Sequence, residues 1–234
     1  MNDSGISLYL IPTILAEGTQ NHVLPPQIKD AVQHLDVFFV ENVRTARRFI
    51  TSLRLGKIID ELTFIELNKD TPESETFTAL RNLSKSAGVI SEAGCPGVAD
   101  PGAVAVRIAH ELGIRVMPLV GPSSILLALM GSGMSGQSFA FHGYLPIDKV
   151  HRKKTLQNLE RNARQYQQTQ IFMETPFRNN QLLEAVIEAC SPELALCIAA
   201  NVTAPDESIR TMPVKIWKSA KPDLHKIPTI FLIG

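Results

Sequence analysis

Short apolar runs alternate with segments of helical periodicity over the first half of the chain. The runs have the length of buried strands, and the intervening segments place apolar side chains three and four residues apart. The pattern predicts strands at 6–11, 37–40, 88–91 and 114–119, and helices at 25–35, 44–53, 76–84, 102–112 and 122–130. Such alternation indicates a mainly parallel sheet with helices on both faces.

After Met130 the predicted strands make up a larger share of the chain than before it. The pattern predicts strands at 139–143, 169–174, 195–201, 214–217 and 229–233, and helices at 149–168 and 180–189. No helix is predicted between the last two strands, which favours some antiparallel pairing. The sequence therefore predicts an α/β protein of two domains. We place the first, with a mainly parallel sheet, at residues 1–120 and the second, with a mixed sheet, at 121–234.

Composition and charge narrow the functional class. The 234 residues are 44% apolar and 20% charged, which excludes a disordered chain. A formal net charge of zero excludes a protein that is basic over its whole surface. Residues 148–178, here called the basic stretch, nevertheless hold seven basic against three acidic side chains, a local charge of +4. It is either a phosphate-binding face or the solvated face of a polar helix.

The sequence does not indicate a metal site, a signal peptide or a membrane-spanning segment. The three cysteines include no Cys-x-x-Cys pair and the six histidines no His-x-x-x-His pair, so we expect no metal site. The N-terminus lacks a basic region, and Pro12 interrupts its first apolar run, which argues against a signal peptide. No apolar run reaches the roughly 18–20 residues that span a bilayer. We expect a soluble cytoplasmic protein with no membrane partner.

Two glycine- and proline-rich segments follow predicted strands. Residues 91–102 read SEAGCPGVADPG, and residues 121–124 read GPSS. Glycine lets a ligand approach the backbone closely, and ligands of open α/β sheets bind beyond the carboxyl ends of strands. Each segment is also compatible with an ordinary turn, with Ser123 or Ser124 capping a helix. Their occurrence after neighbouring strands favours a shared ligand site.

A third glycine-rich segment is not a nucleotide fingerprint. Residues 131–136 read GSGMSG, which matches G-x-G-x-x-G. The dinucleotide mechanism requires a strand before the glycines and a helix after them, whereas here a predicted helix comes before. We interpret the segment as a connection between the domains. The chain also has neither a P-loop nor a G-x-S-x-G nucleophile motif.

These motifs together resemble the tetrapyrrole methylase superfamily, and most closely its ribosomal small-subunit RNA cytidine 2′-O-ribose methyltransferases. Residues 91–102 are similar to S-D-A-G-T-P-G-I-S-D-P-G, and 121–124 to G-P-S-A. Residues 40–47 are similar to A-E-D-T-R-H-T-R, 141–146 to F-E-G-F-L-P, and 172–178 to F-Y-E-S-P-H-R. The matches keep the family's order and spacing across most of the chain.

The resemblance implies two α/β domains with S-adenosylmethionine (SAM) in the cleft between them, usually in a homodimer. It implies that the methionine and sulfonium side of SAM contacts the first glycine-rich segment and that the adenosine side of SAM contacts the second domain. In the family, backbone groups make most of these contacts. The positions that match the cofactor-binding motifs are Leu15, Glu92, Ala93, Gly94, Cys95, Gly97, Val98, Ser123, Ser124, Met173, Ala204 and Pro228.

Methyl transfer from a sulfonium depends chiefly on in-line positioning and exclusion of water. A hydroxyl acceptor would still benefit from a base. By motif position the candidate catalytic residues are Glu41 and Glu174, and the candidates for holding an anionic acceptor are Arg44, Arg47 and Arg178. Each of these side chains could instead belong to a structural ion pair.

The chain departs from the family pattern on the acceptor side. Residues 12–19 lack the Gly-Asn pair of T-P-I-G-N-L-G-D-I, and Asn42 and Cys95 replace an acidic residue and a threonine. The ribosomal enzymes also usually continue beyond the final strand. Three hypotheses follow: a methyltransferase of rRNA, favoured by the basic stretch and the branch resemblance; one of a tetrapyrrole or other small molecule; and a SAM-binding protein without catalysis, favoured by Asn42.

Overall fold

The chain forms two structural units in the computed structural model, which describes residues 5–234. The first unit ends at Ser123, and the second runs from Ser124 to Gly234. The division lies three residues beyond the boundary predicted after residue 120.

The first unit is built on a five-stranded parallel sheet of order β3-β2-β4-β1-β5. Its strands are β1 (Ser7–Ile11), β2 (Val37–Val40), β3 (Thr63–Glu66), β4 (Ala87–Ile90) and β5 (Arg115–Pro118). Its α-helices are α1 (Gln20–Val23), α2 (Pro26–His34), α3 (Val43–Ser52), α4 (Glu73–Arg81) and α5 (Gly102–Glu111).

Two hydrophobic clusters lie on opposite faces of this sheet. Phe38 packs in the cluster that holds the buried residues of α2 and α3, whereas Phe39 packs in the one that holds those of α4 and α5. Adjacent strand residues point to opposite faces, so a strand covered on both sides is apolar throughout, and all four residues of β2 are buried. The predicted parallel sheet with helices on both faces is confirmed.

The sheet order brings four loops of the first unit together. Parallel strands have their carboxyl ends at one edge, and β4 lies between β2 and β1, with β5 on the far side of β1. The loops that leave β2, β4, β1 and β5 are therefore neighbours at that edge. Two of them are the glycine-rich segments that the sequence singled out.

The second unit has a mixed five-stranded sheet of order β6-β7-β10-β8-β9, in which only β6 and β7 pair in parallel. Its strands are β6 (Phe139–Tyr144), β7 (Thr169–Met173), β8 (Ala195–Ala200), β9 (Ser208–Pro213) and β10 (Thr229–Ile233). Its helices are α6 (Ser124–Ser132), α7 (Lys149–Tyr166), α8 (Asn179–Ala189) and α9 (Val214–Ser219). The predicted antiparallel pairing is confirmed.

The strand predicted at 214–217 is wrong, because these residues form α9. Their apolar–polar alternation is typical of a strand, but Pro213 ends β9 and is compatible with a helix start. Val214 and Trp217 are buried three residues apart, and Trp217 Nε1 donates a hydrogen bond to the Leu196 carbonyl at 2.9 Å. A helix therefore does lie between the last two strands, β9 and β10.

The interpretation of residues 131–136 as a connection between domains is also wrong. The first two residues belong to α6, and the rest leads to β6, so the segment lies inside the second unit. Gly131 allows α6 to pack on the sheet, because a Cβ there would lie 2.9 Å from Ile209 Cδ1.

Within residues 5–234, no helix combines the length and the apolarity needed to cross a membrane. The same residues contain no group of three or more His, Cys, Asp or Glu side chains that could hold a metal ion.

Candidate functional site

Hydrogen bonds join the loop after β1 to the loop after β4, residues 91–101, here called the β4–α5 loop. The Thr13 amide donates to the Gly94 carbonyl at 2.9 Å, and Thr13 Oγ1 donates to the Ser91 carbonyl at 3.3 Å. Ser91 Oγ also donates to the Gly94 carbonyl, at 2.8 Å. Thr13 and Ser91 are both buried, so these bonds fix the turn at Gly94 from the interior of the protein.

Asp100 holds the second half of the β4–α5 loop. Its Oδ1 accepts hydrogen bonds from the amides of Gly97 at 2.7 Å and Gly102 at 2.8 Å. Burial raises the pKa of the Asp100 carboxyl, against the lowering effect of those two amides. A Cβ at Gly102 would lie 2.9 Å from Asp100 Oδ1, so this tight arrangement requires a glycine. Val98, at the outer turn of the loop, is about half exposed.

Three loops meet at Gly94 and Cys95. Gly94 has φ +72°, and a Cβ there would lie 3.2 Å from both Leu15 Cδ2 and the Pro122 carbonyl oxygen. The Cys95 thiol donates to the Pro122 carbonyl, with Sγ at 3.4 Å. Burial and the Asp100 carboxylate raise the pKa of the Cys95 thiol, which keeps it protonated at neutral pH. Of the predicted cofactor residues, Leu15, Gly94 and Cys95 thus lie together beside Pro122, which Ser123 directly follows, and Ser124 begins α6 in the second unit.

Glu41 lies where β2 ends, beside two other carboxylates. Burial raises the pKa of its carboxyl, and the charges of Glu92 and Asp100 raise it further. A carboxyl with a raised pKa at a ligand-binding edge is a candidate proton acceptor. The motif identified Glu41 in the sequence. Glu92 and Asp100 lie beside it because β4 is the neighbour of β2 in the sheet, which the sequence does not show.

Asn42 caps α3. Its Oδ1 accepts hydrogen bonds from the amides of Arg44 at 2.9 Å and Thr45 at 3.2 Å. Asparagine and aspartate are equally good at this position. The replacement of the family's acidic residue therefore preserves the helix cap, and Asn42 gives little support to a loss of catalysis.

A cavity of about 400 Å³ opens beside the β4–α5 loop, and we call it the first-loop cavity. It is lined by residues 13–18, by Gln20, by the face of α3 from Thr45 to Ser52, and by residues 90–93. Three predicted cofactor residues, Leu15, Glu92 and Ala93, are among them.

The arginines of α3 differ in their surroundings. Arg44 is exposed, whereas the Arg47 guanidinium forms an ion pair with Asp60 and lies 5.9 Å from the Phe64 ring centroid. Arg48, which sequence reasoning did not select, lines the first-loop cavity. The only sequence signal for Arg48 was its place beside Arg44 and Arg47 on one short helix.

The three candidate residues expected on the adenosine side lie together in the second unit. Met173 ends β7 and pairs with Ile230 near the start of β10. The Asn201 amide donates to the Pro228 carbonyl at 2.9 Å, and the Ala204 amide donates to the Asn201 carbonyl at 2.9 Å. All three residues therefore lie at one end of the second sheet.

Glu174 and Arg178 form an ion pair with each other at 2.6 Å. The Glu174 side chain is only 2% exposed and also accepts a hydrogen bond from the Thr175 amide at 2.7 Å. The hydrogen bond to Glu174 raises the pKa of Arg178. This geometry favours the structural alternative for both residues, so Glu41 is the better placed candidate base.

Several curated bacterial proteins are similar to this chain along most of its length. The "Ribosomal RNA small subunit methyltransferase I" of Vibrio cholerae is 28% identical over 208 residues, which are 88% of this chain and 68% of that protein. Proteins of the same name from Escherichia coli O157:H7 and Bacillus subtilis are 28% and 31% identical, covering 88% and 80% of this chain and 69% and 60% of their own lengths. No family model matches the chain.

Solved structures with this fold include several methyltransferases. The methyltransferase CobJ has a TM-score of 0.63 at 18% identity, covering 98% of this chain and 93% of its own. A uroporphyrin-III C-methyl transferase from Thermus thermophilus, solved with S-adenyl homocysteine, has a TM-score of 0.58 at 13% identity, covering 97% of each chain. Diphthine synthase has a TM-score of 0.69 at 14% identity, covering 97% of this chain and 89% of its own.

The resemblance and the fold predicted from the motifs are thereby confirmed, because the sequence relatives are small-subunit rRNA methyltransferases and the structural neighbours share the fold. The chain is a methyltransferase. It carries the glycine-rich SEAGCPG segment in the β4–α5 loop and the GPSS segment after β5.

Proposed function

We propose that this methyltransferase transfers the methyl group of SAM to a ribose 2′-hydroxyl of small-subunit ribosomal RNA. The observation that carries the proposal is the similarity to rRNA small subunit methyltransferases over 88% of the chain, in both structural units. By family resemblance we also propose that the protein works as a cytoplasmic homodimer.

The first unit has a backbone cradle that fits SAM. At Gly94 the space that a Cβ would fill lies between Leu15 and the Pro122 carbonyl, and the buried Thr13 and Ser91 hold the turn in place. A structural neighbour was solved with S-adenyl homocysteine, which supports SAM as the cofactor. When bound, SAM supplies an electrophilic methyl group on a sulfonium. Met173, Ala204 and Pro228 stay the predicted contacts of its adenosine.

In this mechanism the protein positions the acceptor and takes its proton. The hydrogen-bonded β4–α5 loop would orient the donor, and exclusion of water from the site would lower the cost of in-line attack. Glu41 accepts the proton of the attacking hydroxyl, directly or through one water. Its raised pKa makes it a stronger base than an ordinary carboxylate. Arg44 and Arg48 are the cations of α3 that are available to the acceptor's phosphates.

The experiment is transfer of tritium from methyl-labelled SAM to small ribosomal subunits from a strain that lacks the gene. We expect label in the RNA that survives alkaline hydrolysis within a dinucleotide, because a 2′-O-methyl group protects the adjacent phosphodiester. Subunits from the parent strain, already methylated, are the control and should accept little label.

Other outcomes separate the alternatives. Label only in a small-molecule fraction would support a tetrapyrrole or similar acceptor. Calorimetric binding of SAM with no transfer to any fraction would support a non-catalytic SAM-binding protein. Absence of SAM binding would overturn the proposal altogether.

A further inference from the structure

A cavity of about 490 Å³ lies between α7 and α8 in the second unit, and we call it the α7–α8 groove. It is lined by the first turns of α7, from Lys149 to Lys153, and by the face of α8 from Gln181 to Ala189. We propose that this groove binds one nucleotide of the RNA substrate, with its phosphate on the guanidinium of Arg152. The inference rests on the proposed function, because it names a contact that holds the RNA of that reaction.

Arg152 is a buried cation on the inner face of α7. It lies four residues before Leu156 and seven before Leu159, so helical spacing puts all three on the face that packs in the core of the second unit. Arg152 is 6% exposed, and its Nε is buried without a hydrogen-bond partner. Nowhere in residues 5–234 does a carboxylate form an ion pair with its guanidinium. A buried charge is costly unless an opposite charge compensates it, so Arg152 is suited to an anion that enters the groove.

A second buried charge on the same face of α7 has the partners that Arg152 lacks. Glu160 lies eight residues after Arg152 and is also buried. Its carboxylate accepts hydrogen bonds from Arg164 Nη2 at 2.7 Å and from the Ser191 amide at 3.0 Å. Burial on this face of the helix is therefore compatible with full pairing of a charged side chain. The unpaired guanidinium of Arg152 indicates a ligand rather than a general property of the helix.

The α7 side of the groove suits a phosphate. Lys149 and Lys153 line it together with Arg152, which gives three cations within the first turns of the helix. The N-terminal end of a helix also has a partial positive charge. A guanidinium can bind two phosphate oxygens at once through parallel N–H donors, which the point charge of a lysine does not do. These features favour an anion with several oxygens, bound at Arg152.

The α8 side of the groove limits which phosphate compound fits. Glu184 and Glu188 line it, and Glu184 has only a loose ion pair, with Lys221 at 3.9 Å. These carboxylates repel an anion such as an acidic peptide, but they accept hydrogen bonds from a ribose hydroxyl or from the amino group of a base. A nucleotide carries a phosphate and such donors in one unit, and a volume of about 490 Å³ is in the range of small-molecule sites. Free phosphate would use only the α7 side.

The test is nitrogen-15 NMR of the arginine Nε–H groups during titration with a single-stranded RNA of about twelve nucleotides. Arg152→Lys identifies the Arg152 signal, because that signal is absent from the spectrum of the variant. We expect the signal to shift as RNA is added, since Nε gains a phosphate oxygen as its acceptor. The shift should reach its limit with the same affinity that fluorescence anisotropy gives.

The RNA affinity and the stability of Arg152→Met are measured alongside. We expect at least about tenfold weaker RNA binding and a salt slope shallower by about 0.7, the contribution of one phosphate contact in a single strand. The denaturation midpoint should equal or exceed that of the wild type, because the substitution removes an unpaired buried charge. The matched control is Arg161→Met, which removes the same charge from an exposed position of α7 outside the groove. It should weaken RNA binding by about threefold at most.

Any of four results would overturn the proposal. The first is an Arg152 signal that does not move at saturating RNA, and the second is an equal loss of RNA affinity in Arg152→Met and Arg161→Met. The third is a lower denaturation midpoint of Arg152→Met, which would reveal a partner inside the protein. The fourth is binding of inorganic phosphate at Arg152 as tight as that of the RNA, which would make the groove a site for a free anion.

Failure of the groove and failure of the proposed function give different results. RNA binding through Arg152 without label transfer to ribosomal subunits would reject the methylation of rRNA and leave the groove assignment standing. Label transfer by Arg152→Met at the wild-type KM for ribosomal subunits would reject the groove and leave the proposed function standing.

Discussion

Gly94 links the sequence motif to the geometry of the proposed SAM site. Its φ of +72° is in the left-handed region, and its missing Cβ leaves room between Leu15 and the Pro122 carbonyl. A glycine is therefore required for two reasons, conformation and space. The two can be separated experimentally, because Gly56 has nearly the same φ, +71°, with no atom within 4 Å of its Cβ position.

We predict that Gly94→Ala weakens SAM binding and that Gly56→Ala does not. Both variants should lose about 1–2 kcal/mol of unfolding free energy through left-handed strain. Gly94→Ala should lose more, since its Cβ makes close contacts at 3.2 Å. Chemical denaturation and calorimetry with SAM measure the two effects. Equal SAM affinity in both variants would contradict the placement of the donor at this turn.

We predict that Glu41→Gln raises stability at neutral pH while it lowers activity. Because the folded protein raises the pKa of Glu41, its protonation stabilises the fold, and that contribution is lost as pH rises through the raised pKa. The glutamine variant should match the wild type below about pH 4.5, the ordinary pKa. At pH 7 it should be more stable by about 0.5 kcal/mol, a modest gain since the carboxyl is partly exposed.

The measurements for Glu41→Gln are unfolding curves at several pH values and the pH profile of methyl transfer. The profile should lose its acidic limb. Glu61→Gln, at an exposed carboxylate, is the control and should change neither property. Full activity in Glu41→Gln would exclude this carboxyl as the proton acceptor.

At the scale of elements, the predicted secondary structure was correct for segments whose own apolar pattern determines it. The buried run at 37–40 is β2, and the segment at 102–111 is α5 because its apolar spacing is helical. The strands β3, TFIE, and β9, SIRTMP, escaped prediction because each has only two strongly apolar side chains, too few for a recognisable apolar run. The glycine-rich loops of the site were visible in sequence, whereas the first-loop cavity and the ion pair of Arg47 with Asp60 depend on contacts between different elements. The pair of Glu174 with Arg178 is local, between residues four apart, and depends on the conformation of the turn after β7.

The ion pair between Glu174 and Arg178 predicts a structural role for both residues. Arg178→Met would leave Glu174 as a buried carboxylate without its cation, so we expect a loss of about 2–4 kcal/mol of unfolding free energy. The control is Lys215→Met, in a pair with Glu193 in which the two side chains are 50% and 69% exposed, and it should cost less than about 1 kcal/mol. Denaturant titrations measure both. Unchanged stability of Arg178→Met with weaker RNA binding would instead support the predicted acceptor contact.

Over the whole molecule, a net charge of zero conceals two regions of opposite character. The proposed reaction site of the first unit has an excess of carboxylates, among them Glu41, Glu92 and Asp100. The basic stretch lies in the second unit, where α7 exposes Lys149, Lys153, Lys154 and Arg161, together with the paired Arg164. Arg152 is buried in the α7–α8 groove and Arg178 is paired with Glu174, so the exposed cations are fewer than the sequence suggested.

The proposed RNA function predicts that the exposed lysines of α7 set the salt dependence of binding. Each phosphate contact contributes about −0.9 to the slope of log affinity against log salt for duplexes and about −0.7 for single strands. The double variant Lys153→Gln, Lys154→Gln should therefore bind rRNA fragments more weakly and with a slope shallower by about 1–2 units, at unchanged SAM affinity. The control double variant Lys69→Gln, Lys218→Gln removes the same charge from exposed positions elsewhere. Fluorescence anisotropy over a salt series distinguishes the two interpretations of the basic stretch, because a merely solvated helix face would give both variants the same slope.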